Sequence, residues 1–256
     1  MAAAHFVRAK RQSLQMIEVF DDLAALSARA AALFIDTARE SVREKGACAV
    51  ALSGGTTPRL MFQKLVEHEG RDQVPWNKIY VFWGDERHVP LSDPQSNYRM
   101  TKETLLDHVP LRHVFPVPFA DSAEASAQLY EATLRSHFKT LPRLDLCFLG
   151  MGADGHTASL FPGSTALTEK TRWAFASRPL SGGPDRVTLT YPVLNNSRRV
   201  CFLVAGADKA ATLKQVIENT DASIHYPAQD IRPENGEVIW LLDRAAAADL
   251  TSHYNH

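Results

Sequence analysis

One stretch of the chain gathers the groups best suited to moving protons: Gly150-Met151-Gly152-Ala153-Asp154-Gly155-His156-Thr157-Ala158-Ser159-Leu160-Phe161-Pro162. Histidine titrates near neutral pH, and a neighbouring carboxylate can fix its tautomer and raise its basicity. Asp154 and His156 therefore read as an acid/base pair. The segment also holds a formal G-x-G-x-x-G, the mark of a dinucleotide site. Such a site needs a helix next, then a strand ending in an acidic residue about 20 positions on. Here Phe161-Pro162-Gly163 interrupts, and Glu169 follows no apolar strand, so the dinucleotide alternative is weak.

A second segment, Ser53-Gly54-Gly55-Thr56-Thr57-Pro58, suits an anion. Paired glycines let backbone N–H groups approach a ligand, a helix N-terminus adds partial positive charge, and three hydroxyls add donors. It lacks the lysine and the spacing of a nucleotide-binding P-loop. The segment reads either as a phosphate cradle or as a tight turn before a helix capped by Thr57, with Pro58 in its first turn. A third segment, Trp83-Gly84-Asp85-Glu86-Arg87-His88, places two carboxylates and an arginine after an apolar run. Those charges either orient a polar substrate or form a solvated loop held by an internal ion pair. Ser96 then stands as a cap before Asn97-Tyr98. Arg186 and Lys209, each unremarkable alone, are together the natural candidates to neutralise a phosphate near Ser53. The chain has no H-E-x-x-H, no Cys/His zinc spacing and no G-x-S-x-G elbow; His253 and His256 in the tail carry little weight as metal ligands.

These segments need elements to hold them. Apolar spacing predicts a helix over residues 23–45 closed by Gly46, then a strand over 48–52 and a helix to about His68. Further strands are predicted at 79–83, 144–149, 173–177, 187–190, 200–204 and 238–242. Helices are predicted at 97–106, 123–140 and 209–218, with a polar loop over 84–96. Strands alternating with helices indicate an α/β fold, a mainly parallel Rossmann-like sheet covered by helices on both faces. Ligands in such folds bind beyond the carboxyl ends of the strands, where all the segments above fall.

The chain has 256 residues, 45% of them hydrophobic and 22% charged, the usage of an ordinary globular protein. That length favours a single domain over residues 1–256, with residues 1–15 as a flexible lead-in. Lys and Arg number 28 against 29 Asp and Glu, a net charge of −1. Broad electrostatic capture of nucleic acid or membrane is thereby disfavoured, while a small basic pocket is not. The 3 cysteines, Cys48, Cys147 and Cys201, lie in apolar runs outside any C-x-x-C and read as buried reduced thiols. No signal region or apolar run of transmembrane length is evident, so a cytoplasmic protein is expected.

With these residues assembled, the chain resembles the 6-phosphogluconolactonase family. The resemblance is carried by Leu52 through Pro58, by Gly84-Asp85-Glu86-Arg87 with Ser96-Asn97-Tyr98, and by Leu149 through Pro162. Arg186 before Val187-Thr188-Leu189-Thr190, Gly206 to Lys209, and Trp240-Leu241-Leu242-Asp243-Arg244-Ala245-Ala246 follow in family order. The resemblance implies hydrolysis of 6-phospho-D-glucono-1,5-lactone to 6-phosphogluconate in the oxidative pentose phosphate route. It also implies a fold shared with glucosamine-6-phosphate deaminases and ribose-5-phosphate isomerases. No metal or organic cofactor is expected, because a lactone is already an activated ester.

On that resemblance, Ser53, Gly54, Gly55, Thr56, Arg186 and Lys209 are expected to hold the phosphate. His156 is expected to activate water, Asp154 to orient it, Asp85 to hold sugar hydroxyls and Arg87 to balance developing charge. A monomer acting on a small phosphorylated lactone, with no nucleic-acid or membrane partner, is the expectation. Two alternatives stand beside it. For an amino-sugar-phosphate deaminase or isomerase, the family pattern implies an acid at position 161, where this chain has Phe161. A non-catalytic sugar-phosphate sensor normally carries a DNA-binding module, for which residues 1–22 leave no room.

Overall fold

The computed structural model describes residues 14–218, 221 and 223–251. Most of the expected lead-in, together with His253 and His256, lies outside them.

Asp22 accepts a hydrogen bond from Ala25 N at the start of the first helix, α1 (Leu23–Lys45), and Gly46 closes it by donating to Val42 O. Its Leu26, Ala30, Phe34 and Ala38 recur at helical spacing and are buried, so one face of the helix packs on the core. The chain then continues through β2 (Cys48–Leu52), α2 (Thr56–Val66), α3 (His68–Arg71), β3 (Ile79–Trp83), β4 (Asp85–Arg87), α4 (Asn97–Thr104), β5 (His113–Val114) and α5 (Ala123–His137). It goes on through β6 (Leu146–Leu149), β7 (Ala174–Ser177), β8 (Arg186–Leu189), α6 (Tyr191–Leu194), β9 (Arg199–Val204), α7 (Ala210–Glu218) and β10 (Glu237–Asp243). Ahead of all these stands β1 (Leu14–Phe20), where a lead-in to residue 15 was expected.

Seven strands form one sheet in the order β1-β10-β9-β6-β2-β3-β5, and every pairing within it is parallel. Every residue of β2 and of β6 is buried, as happens when a parallel sheet is covered on both faces. From β2 the chain adds β3 and β5 toward one edge, then returns to lay β6, β9 and β10 on the other side. The strand order therefore reverses between β2 and β6, and the crevice beyond their carboxyl ends is the switch point where ligands of such sheets bind.

The expected strands at 173–177 and 187–190 exist, but not in this sheet. β7 and β8 pair antiparallel with each other, and β8 pairs antiparallel with β4 to make a second, three-stranded sheet. The expected loop 84–96 thus contains β4, a three-residue strand made by pairing rather than by apolar pattern. Helix boundaries also differ: α4 ends at Thr104, α5 at His137, and β6 begins at Leu146. The cap expected at Thr57 is instead Gly55, whose φ of 108° turns the chain into α2 two residues sooner; Thr56 and Thr57 fall in its first turn. Between β6 and β7 the chain forms only a four-residue 3-10 turn, Thr165–Thr168, and no α-helix, which removes the dinucleotide alternative.

Cys48, Cys147 and Cys201 are free and buried, as expected; burial pushes the Cys48 and Cys147 thiols up to about 12. No helix among the described residues is long and apolar enough to cross a membrane.

Candidate active site

Four neighbouring strands, β9, β6, β2 and β3, deliver the chemistry-bearing loops side by side at their carboxyl ends. β2 ends into Ser53, β3 into Gly84-Asp85, β6 into the Gly150–His156 loop and β9 into Gly206–Lys209. Adjacent parallel strands lie about 4.8 Å apart, so loops far apart in sequence are brought within one ligand's length.

The imidazole is the most tightly defined group. His156 Nδ1 lies 2.5 Å from Asp154 Oδ1, which also accepts from His156 N at 3.2 Å. Burial alone would raise the Asp154 pKa, but the facing imidazole and its hydrogen bonds outweigh it and hold the carboxyl below its ordinary range. An ionised carboxylate only accepts, so Nδ1 donates and neutral His156 keeps its free lone pair on Nε2. Gly152 is packed so closely that any Cβ there would collide with both the imidazole and the Asp154 carboxylate. Gly152 N donates to His156 O at 2.9 Å, and Thr157 Oγ1 to Gly150 O at 2.9 Å, closing the loop on itself. The loop is held from outside by Thr212 Oγ1 of α7, which donates to Ala153 O at 2.6 Å, and by Ala228 N, which donates to Gly155 O. The Phe161 ring packs on the imidazole at 4.8 Å.

Just beyond His156, Ala158 sits at φ 47°, the only non-glycine residue with positive φ among those described. A side chain there costs roughly 1–2 kcal/mol. The turn is held by Leu160 N donating to Thr157 O at 2.9 Å and by Ser159, whose N donates to Thr188 Oγ1 and whose Oγ donates to Asp85 Oδ2 at 2.6 Å.

Asp85 and Glu86 divide into two jobs. Glu86 is 2% exposed and accepts from Arg87 N, Asn97 N, Tyr98 N and Ser96 Oγ at 2.7–3.0 Å. It is neither a substrate-facing group nor half of an ion pair; it clamps the start of α4 onto β4. Burial raises its pKa against the lowering effect of those backbone donors. Ser96 caps α4 as expected, accepting from Arg99 N. Asp85 is half-buried and faces the loops: Asn97 Nδ2 donates to Asp85 O at 2.9 Å and reaches Asp85 Oδ1 at 3.4 Å. Asn97 also abuts Gly54 so closely that a Cβ at Gly54 would overlap its amide. Tyr130 fixes the end of β3, accepting from Trp83 N and donating to Trp83 O, both at 2.9 Å.

The cationic groups flank this centre. Arg87 and Arg186 are direct partners in the β4–β8 register, so two guanidiniums share one patch. Burial first, and then the Arg87 charge, pull the Arg186 pKa down. Each spends one nitrogen on a carbonyl: Arg87 on Gln95 O and Arg186 on Pro184 O, both at 2.5 Å. Lys209 lies on the other side of the switch point, after β9, and pairs with Asp208 at 2.9 Å. Asp243 braces that loop by accepting from Gly206 N at 3.1 Å. At the head of α2, Ser53 is 5% exposed and its Oγ is a buried hydroxyl without a hydrogen-bond partner. No side chain caps α2, and the first N–H groups of a helix have no partner within it. Among the described residues no three His, Cys, Asp or Glu side chains are grouped to hold a metal ion.

Glu86, Asn97, Ser159 and Thr188 all stand inside the recognised segments, but the parts they play were not legible there; only the folded chain brings Ser159 to a carboxylate 74 residues away.

The α/β sheet thus carries a histidine–carboxylate loop and an uncapped, glycine-led helix at its switch point, and the family it belongs to is one of sugar-phosphate enzymes. A sequence model described as glucosamine-6-phosphate isomerases/6-phosphogluconolactonase matches residues 21–240, and the chain belongs to that family. A 6-phosphogluconolactonase from Nostoc sp. is 39% identical over 242 residues, spanning 92% of this chain and 98% of that protein. One from Synechocystis sp. is 42% identical over 218 residues, spanning 82% and 88%. The solved 6-phosphogluconolactonase from Trypanosoma cruzi superposes with a TM-score of 0.84 at 30% identity, covering 96% of this chain and all of that one.

Proposed function

We propose that this chain hydrolyses 6-phospho-D-glucono-1,5-lactone to 6-phosphogluconate. The observation that carries the proposal is the Asp154–His156 pair beside the Ser53–Thr56 loop, across the β2/β6 switch point. Relatives called 6-phosphogluconolactonase that align over nine-tenths of the chain support it.

The phosphate sits against Ser53 Oγ, the N–H groups of Gly54, Gly55 and Thr56, and the Arg186 and Lys209 side chains. That uses an orphan hydroxyl, an uncapped helix and a guanidinium otherwise opposed by Arg87. Asp85 accepts from sugar hydroxyls. With the phosphate held on one side, C1 of the lactone lies over the His156 loop. His156 Nε2 takes a proton from water as the oxygen attacks C1. The resulting imidazolium is stabilised by Asp154, and Arg87 balances the charge that develops on the substrate. The C1–ring-oxygen bond then breaks, and the imidazolium returns its proton to the departing oxygen, so the histidine is neutral again at the end of the cycle. The residues in these roles need no metal or organic cofactor. A cytoplasmic monomer accompanies this reading; the three buried reduced thiols fit a reducing compartment.

The packing of the Phe161 ring on His156 argues against ring-opening proton chemistry, because position 161 presents no second acid beside the imidazole. The test is a direct assay of lactone hydrolysis, corrected for the spontaneous reaction. A rate far above background supports the lactonase. Folded protein that binds sugar phosphate without accelerating hydrolysis overturns it in favour of a sensor.

A further inference from the structure

The sharpest contact between the β3 and β6 loops has no place in the chemistry above. Ser159 is 1% exposed, and its hydroxyl donates to Asp85 Oδ2 at 2.6 Å, the short length of a hydroxyl on a carboxylate. Its own backbone N–H is taken by Thr188 Oγ1 of β8, at 3.2 Å. It follows Ala158, the residue held in the left-handed region, and lies three positions after His156. Asn97 grips Asp85 from the other side and abuts Gly54. One chain of contacts thus runs from the Ser53 loop through Asn97, Asp85 and Ser159 to the His156 turn and β8.

We propose that Ser159 is a positioning residue for the reaction: its hydroxyl locks the sugar-facing carboxylate of Asp85 to the turn that carries His156. The two groups come from different strands, yet substrate must meet both in one frame. Asp85 sets where the ring lies, and His156 sets where the water attacks. A misplacement near 1 Å between such groups is enough to cost on the order of 100-fold in rate. The left-handed Ala158 fits this account, because strained backbone persists where surrounding contacts over-determine it. Here those contacts are Ser159 to Asp85, Ser159 to Thr188, and Thr157 to Gly150.

The proposal rests on the lactonase reading, with Asp85 as a sugar anchor, and a double-mutant cycle separates the two. Wild type, Ser159→Ala, Asp85→Ala and the double variant are compared for kcat and KM in lactone hydrolysis, with melting curves for each. Ser159→Ala is expected to lose about tenfold in kcat/KM, with the same split between kcat and KM as Asp85→Ala but smaller, and to cost less than twofold when Asp85 is already Ala. Ser159→Thr, which keeps the hydroxyl, should recover more activity than Ser159→Cys, a near-isostere with a weak donor. Full additivity of the two Ala substitutions overturns the proposal, as does a lower melting temperature with unchanged kcat/KM per folded molecule. An Asp85→Ala variant as active as wild type instead overturns the anchor role on which the proposal rests. Should Ser159→Ala fail to fold, Ser159→Cys is carried through the same cycle with the same criteria.

Discussion

At the amino ends of the strands, Lys45 lies 2.7 Å from Asp145, and Arg199 reaches Glu40 and Glu237 at 2.6 Å. Arg198 meets Glu44 at 3.4 Å, and Arg143 donates to Asn235 O. Apart from Lys45, these groups line a polar cleft of about 210 Å³, in which Arg198 and Arg199 each meet a carboxylate. At the carboxyl ends the plan is reversed. Arg87 faces Arg186, Ser53 Oγ is buried without a partner, and α2 begins without a side-chain cap. The same sheet thus sets Arg198 and Arg199 against carboxylates at one end and Arg87 against Arg186 at the other, where Lys209 alone has a carboxylate partner, Asp208. A cleft lined by many charged residues is not thereby a binding site; the proposed site differs from it in the arginine pair and in the hydrogen-bonding capacity that Ser53 and the start of α2 leave unused.

That contrast can be broken at several points. The largest effect belongs to His156→Ala: kcat for lactone hydrolysis should fall by roughly 10²–10⁴ with a much smaller change in KM and little change in melting temperature. Full turnover would remove His156 as the base. Next comes Arg186→Met, which should raise KM about tenfold or more by losing a charge-assisted contact to phosphate. It should also stabilise the free protein slightly, by about 0.5 kcal/mol, because like charges directly opposite in a strand pair repel. Inorganic phosphate should raise the melting temperature of wild type and lose that effect in this variant. A variant that loses stability with KM unchanged would make Arg186 structural. Lys209→Ala should raise KM more than it lowers kcat, and steady-state kinetics showing an unchanged KM would count against its phosphate role.

The amino end should behave in the opposite way. Asp145, whose side chain is fully buried, accepts from Ala49 N at 2.8 Å as well as pairing with Lys45. Asp145→Ala should therefore lower unfolding free energy by about 2–3 kcal/mol, read by urea titration, with kcat/KM of the folded enzyme preserved. The smallest effect lies away from both ends, at Glu169. This exposed carboxylate accepts from Thr171 N, Thr171 Oγ1 and Arg172 N, and the backbone donors hold its pKa down to about 2. The unfolded value is about 4.3. A depressed carboxyl stabilises above the unfolded value and loses that contribution as pH falls through the folded one. The melting temperature of Glu169→Gln should accordingly trail wild type at neutral pH, and the gap should close between about pH 4 and pH 2.

The carboxyl end was largely legible before the fold was seen, and the reason is local. The Ser53, Asp85, His156, Arg186 and Lys209 segments each follow or open an apolar run, and an α/β chain puts its chemistry beyond strand ends. α1 was legible from residue 23 to Gly46 because apolar spacing and helix stop both lie within it. β4 was not, since Asp85-Glu86-Arg87 has no strand-like pattern and becomes a strand only by pairing with β8. β1 was hidden by half-exposed residues of an edge strand directly after a charged lead-in. The division of labour between Asp85 and Glu86 could not be read either, because it rests on donors from Asn97, Tyr98 and Ser159 that reach them only in the folded chain. Nor does any residue type announce that Ala158 will take a left-handed conformation.

The contrast between the two ends is tested most directly by measuring lactone hydrolysis and urea unfolding on His156→Ala and Asp145→Ala side by side. The account predicts that His156→Ala unfolds like wild type and has lost nearly all catalysis, while Asp145→Ala unfolds at lower urea and turns over normally when folded. An active His156→Ala, or a stable but inactive Asp145→Ala, would contradict it.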